Sequence, residues 1–155
     1  AWKKNPQGLL AVLVALLLVQ IVLIRHIPYT RYWYGKTPDS RSTSMGQSVE
    51  RIVRNTPGDI LSDDASFLVR NKRDVLFQPF IMTTLARQRL WSLKPVMSDI
   101  EKQRFSLIIM YHSLGSDFDY SVYERYTPAM VEAIRTHYQL SDYRDPYYLY
   151  TPRTE

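Results

Sequence analysis

Between Leu9 and Ile24 the chain reads LLAVLVALLLVQIVLI, with Gln20 as its one polar side chain and no charge. No other feature limits the fold so strongly. A helix rises about 1.5 Å per residue, so this run makes roughly 24 Å of apolar rod. That is a little less than the ~30 Å hydrocarbon core of a bilayer. Taking in Ile27, and letting Arg25 reach outward along its aliphatic stem, closes the difference. The run therefore predicts a transmembrane helix over about residues 9–27, inside a membrane anchor of residues 1–36. Residues 37–155 then form a soluble domain. Two other readings compete. A cleaved signal peptide also has a basic start and an apolar middle, but this run is long for one. Arg25-His26-Ile27-Pro28-Tyr29 also offers no small-residue cleavage site. A buried core helix so uniformly apolar would be unusual in a domain this small.

The flanks suit an anchor. Trp2, Lys3 and Lys4 precede the run; Arg25, Tyr29, Tyr32, Trp33 and Tyr34 follow it. Aromatic and basic side chains in these places form the belt that sets a helix at the membrane–water interface. Gln20 is the candidate for a helix–helix contact, because an amide in hydrocarbon seeks a polar partner. Charge supports the same division. Of 20 Lys and Arg, Lys3, Lys4, Arg25, Arg31 and Lys36 lie in the first 36 residues, where there is no Asp or Glu. The other 15 balance the 15 acidic residues from Thr37 onward. The net charge of +5 thus sits at the membrane edges, and it argues against nucleic acid as a partner. Lys3 and Lys4 against Arg25, Arg31 and Lys36 leave the orientation open. With no cysteine there is no disulfide and no thiolate metal site. Ala1 stands where an initiator Met would, as in a chain that starts inside a longer precursor.

Beyond a linker at residues 37–44, periodicity predicts helices over residues 44–55, 66–70, 79–90, 94–104 and 127–138. Strands are predicted over 59–62, 74–78 and 105–111, with a closing hairpin from 138–143 and 147–151. Thr127 followed by Pro128 reads as an N-cap and first helical residue. Strands alternating with helices predict a small α/β domain with a mainly parallel sheet.

Chemistry is sparse. His26, His112 and His137 show no metal-ligand spacing, and no Gly-rich phosphate loop or G-x-S-x-G elbow occurs. Asp59, Asp63 and Asp64 form the one acidic cluster. Carboxylates at the carboxyl end of a strand could hold a hard cation such as magnesium. The plainer reading is that Asp63 or Asp64 caps the next helical turn. Of the twelve tyrosines, seven cluster in Tyr120–Tyr126 and Tyr143–Tyr150. They suit either a binding surface for sugars or peptides, or a hairpin packed on its own sheet.

Several stretches carry a family resemblance: TPGDILSDDA from Thr56, FQPF from Phe77, the Phe105–Met110 strand, YTPAM from Tyr126 with its helix, and YLYTPR from Tyr148. Together these resemble the carboxyl end of bacterial GT-C membrane glycosyltransferases of the mannosyltransferase-like group. There, a last membrane helix precedes a small extracytoplasmic α/β domain. The resemblance implies a single-pass protein of the cell membrane with its domain on the extracytoplasmic face. Those enzymes carry their essential acidic residue in an early extracytoplasmic loop, which has no counterpart here, so no site residue transfers.

The expected function is a non-catalytic, membrane-anchored accessory or structural subunit of a larger membrane assembly, with an energy-transducing complex as one candidate. Its partners are the lipid bilayer and other membrane subunits. No cofactor and no catalytic residue are expected. The alternative is the carboxyl fragment of a lipid-linked-sugar-dependent glycosyltransferase; a sugar- or peptide-binding module is a further one.

Overall fold

The computed structural model describes residues 6–26, 40–115 and 125–154. The chain divides into two units, Ala1–Asp39 and Ser40–Glu155. In the first, Pro6–His26 forms helix α1. Its large apolar side chains from Leu9 to Leu23 are 48–65% exposed, on every side of the helix. Among the described residues, however, no helix is long and apolar enough to cross a membrane. This corrects the expectation of a transmembrane anchor, and with it that of a single-pass protein of the cell membrane. The physical reason is length. The apolar run, broken once by Gln20, stops about 6 Å short of a bilayer core. Ile27, which was to extend it, is not among the described residues. Trp2, Lys3, Lys4, Tyr29, Tyr32, Trp33 and Tyr34, and the side chain of Arg25, also lie outside them.

The second unit opens with α2 (Ser40–Asn55), which places Val49 and Val53 on one buried face. Gly58 then turns the chain at φ +80° into β1 (Asp59–Ser62). A Cβ at residue 58 would lie 2.5 Å from Ser106 Oγ, so only glycine fits this turn. There follow α3 (Ala65–Arg70), α4 (Pro79–Arg87), α5 (Lys94–Glu101), β2 (Phe105–Met110), α6 (Pro128–His137), β3 (Tyr138–Arg144) and β4 (Tyr147–Pro152). Thr127 caps α6 as its sequence suggests, accepting from Met130 N–H.

The sheet order is β1-β2-β4-β3. Only β1 and β2 run parallel; β2–β4 and β3–β4 are antiparallel. The sheet is therefore mixed, not mainly parallel. The cause is the C-terminal hairpin, which lays β4 against β2 instead of continuing outward from β1. Residues 74–78 form no strand. Phe77 enters the core, Gln78 caps α4 by accepting from Ile81 N–H at 2.6 Å, and Val75 and Leu76 are exposed.

β2 is buried on both faces, as its apolar run requires. Leu107 and Ile109 join Ile60, Leu149, Phe67, Leu68, Val49 and Val53 beneath α2 and α3. Ile108 and Met110 join Leu61, Ile100, Met130, Ile134 and Tyr150 beneath α5 and α6. Each fully buried Ile or Leu stabilises the fold by about 1.5–3 kcal/mol. These two layers hold the carboxyl ends of β1 and β2 in place.

Candidate functional site

The three aspartates do not stay together. Asp59 lies at the amino end of β1 and pairs with Arg104 at 2.8 Å, which also reaches Asp99 at 3.3 Å. A strand rises about 3.3 Å per residue, so Asp63 is roughly 13 Å away. Asp63 and Asp64 follow β1 directly, and Tyr111 follows β2 directly. Parallel pairing puts all three at one sheet edge.

Asp63 is 4% exposed. Its Oδ2 accepts from Tyr111 N–H at 2.9 Å, and its main-chain N–H donates to Ile109 O at 2.9 Å. Its own carbonyl accepts from Arg125 Nη1 at 3.1 Å. Burial pushes the carboxyl up to about 6, against the Tyr111 amide, the Arg125 charge and the Tyr126 phenol, which favour the ionised form. Burial in turn holds the Tyr126 phenol well above its ordinary range, and the neighbouring Asp63 charge adds to this.

Asp64 behaves oppositely. As N-cap of α3, its Oδ1 accepts from Ser66 N–H at 3.0 Å. Its Oδ2 accepts from the phenols of Tyr111 at 3.0 Å and Tyr147 at 3.5 Å. Partial burial works to raise it, but hydrogen bonds from Ser66, Tyr111 and Tyr147 outweigh that and hold it below the usual carboxylate range. Desolvation, with the Tyr147 contact, raises the Tyr111 phenol far above its ordinary value. The two rings are 5.0 Å apart, and the Arg125 guanidinium lies 5.1 Å from the Tyr111 centroid.

This edge is a junction of three segments. Arg125 reaches it from just before α6, where its carbonyl accepts from buried Thr83 of α4 at 2.8 Å. Among the described residues, no group of three or more His, Asp or Glu is placed to hold a metal ion. The cation reading of Asp59, Asp63 and Asp64 thus loses Asp59 to the far end of β1, and Asp64 takes the capping role. His112 is exposed beyond β2 and His137 ends α6; they share no site.

Most hairpin tyrosines pack on their own fold. Tyr147 meets Phe67 edge-on at 5.0 Å, Tyr148 lies 4.7 Å from Tyr143, and the Tyr150 phenol accepts from Leu114 N–H at 2.8 Å. Tyr120 and Tyr123 lie outside the described residues. Gln20 is exposed on α1.

Sequence reading missed the role of the arginines as carbonyl caps. Arg73, which reads only as part of a charged turn, donates to Gly58 O at 2.8 Å and to Thr56 O, closing the carboxyl end of α2. Arg135 holds Leu114 O at 2.8 Å and Gly115 O. Arg125, too, carried no signal beyond its place beside a tyrosine cluster. Compared with known proteins, the chain matches no family model, no curated protein and no solved structure.

Proposed function

We propose that this chain is a non-catalytic accessory or structural part of a larger protein assembly, held there by α1. The carrying observation is that α1 exposes leucine, valine and isoleucine on all sides, each near half exposed or more. A helix apolar all round is covered by neighbours wherever it is stable. Apolar surfaces of partner subunits supply that cover without any need for α1 to span a bilayer. The acidic pair fits this reading, since Asp63 is buried in the fold and Asp64 is spent on a helix cap. A photo-crosslinker at Leu13 or Leu17 in the native assembly is expected to give discrete higher-mass protein adducts. Recovery of the uncrosslinked chain alone would contradict the reading.

A second reading rests on the group formed by Asp64, Tyr111, Tyr147 and Arg125. Its carboxylate, phenols and guanidinium are partly exposed at a strand carboxyl edge, and such groups hydrogen-bond sugars and phosphates. This would suit the carboxyl region of a glycosyltransferase that uses lipid-linked sugars. The reading frame upstream of Ala1 separates the two: further apolar helices there favour the enzyme. By itself the chain is expected to turn over no polyprenyl-phosphate sugar. Turnover abolished by Asp63→Asn or Asp64→Asn would overturn the first reading.

A further inference from the structure

Apolar exposure in the second unit concentrates around α4. Phe80 and Ile81 are each about half exposed, Leu90 is 70% exposed, and Leu76 and Trp91 are exposed beside them. At 100° per residue, Phe80, Ile81 and Thr84 share one side of α4, while Pro79 and Thr83 are buried on the other. The Thr84 hydroxyl donates to Phe80 O at 2.8 Å, so its proton is satisfied within the helix.

The end of α4 extends this face. Arg89 adopts φ +60° and bonds Ala86 O at 2.9 Å, while Leu90 N–H bonds Leu85 O at 2.9 Å. That bond pattern folds Leu90 back beside Leu85, in line with Ile81 one turn earlier. Along the chain from residue 75 to residue 98 the charged side chains are Arg87, Arg89 and Lys94, all exposed.

We propose that this face docks on an anionic lipid surface. α4 lies in the plane of the interface, with Phe80, Ile81, Leu90 and Trp91 at the headgroup–acyl boundary. Arg89 and Lys94 meet lipid phosphates. Apolar and aromatic side chains flanked along the chain by Arg89 and Lys94 have the composition of an interfacial helix, and they complement a negative leaflet. Trp suits that depth because its ring is amphipathic. The docking uses residues of the second unit only, and it calls for no helix to cross the bilayer.

Because the chain has no cysteine, Leu90→Cys carries a single environment-sensitive fluorophore, and Gln139→Cys on exposed β3 carries the control. The full chain is mixed with phosphatidylcholine vesicles with or without phosphatidylglycerol. With phosphatidylglycerol, emission at residue 90 is expected to shift to the blue and to be quenched by nitroxide-bearing lipids, while residue 139 is unaffected. Arg89→Glu with Lys94→Glu, or added salt on the unaltered chain, should abolish that shift. The proposal is overturned by no shift at residue 90, by equal changes at both sites, or by an equal shift without phosphatidylglycerol. It is also overturned by a lipid-independent shift that grows with protein concentration, which would mark a second copy as the occupant.

Discussion

The two ends of β1 carry the same residue type into opposite surroundings. At the amino end, Asp59 is 38% exposed and meets an arginine that is 51% exposed. At the carboxyl end, Asp63 is sealed beneath Tyr111, Arg125 and Tyr126, and Asp64 is held by one amide and two phenols. Water screens the first arrangement, and an exposed ion pair contributes little. The second arrangement sets desolvation against hydrogen bonding within two adjacent residues. Desolvation wins at Asp63 and hydrogen bonding wins at Asp64. Position along one short strand thus decides whether a carboxylate decorates the surface or governs the fold's response to pH.

The largest effect expected is at Asp63. Its folded value of about 6 exceeds the 3.8 of an unburied carboxyl, so the folded state binds more protons than the unfolded state between those values. Its contribution to stability is therefore lost as pH rises through that window. At 1.36 kcal/mol per unit the loss is about 3 kcal/mol. Asp63→Asn has no such slope. Urea unfolding of both chains at pH 4 and pH 7 should show the gap between them move by about that amount in favour of the variant at high pH.

Next is Gly58→Ala, just before β1. A methyl group there meets Ser106 Oγ at 2.5 Å and forces a positive φ on alanine, at a cost of about 2 kcal/mol. Adding Ser106→Ala should recover part of this, leaving the backbone strain. Full additivity in the double mutant would show that the contact is not what matters.

Asp64→Ala removes the cap of α3 and is expected to cost about 1 kcal/mol. The pH sign is opposite to that of Asp63: stability from Asp64 is present above the ordinary carboxylate range and is lost as pH falls through its lower folded value. Tyr111→Phe should bring the Asp64 carboxyl back upward, as an NMR titration would read.

The smallest effect is expected for Arg104→Ala at the exposed end, and it should vanish in high salt. An Arg104→Ala loss as large as that at Asp64 would erase the contrast between the two ends.

Parts of the scaffold were legible in the chain. The FSLIIM run marks a strand buried on both sides, Asp63 or Asp64 reads as a cap and Asp64 is the one that serves, and Thr127-Pro128 marks the start of α6. What escaped depends on distant partners. Asp59 groups with Asp63 and Asp64 by sequence, yet pleat geometry separates them along β1. DVLFQ has strand composition, but it pairs with no strand among the described residues, and Phe77 and Gln78 serve the core and the α4 cap instead. Arg89 takes a left-handed position usually given to glycine, so the end of α4 carries no turn signal. The mixed sheet follows from where β4 docks, which no local pattern encodes. The apolar run at Leu9–Ile24 was plain to see, but its length decided against a crossing.

Asp63 and Asp64 form a structural pair with opposed titrations, one sealed in the fold and the other capping α3. The most direct measurement is a carbon-detected NMR titration of the aspartate carboxyls in the full chain, with and without magnesium. Asp63 should titrate near 6 and Asp64 below the ordinary range, neither moved by the ion. Asp63 titrating as a free carboxyl, or both resonances shifting together with magnesium, would contradict it.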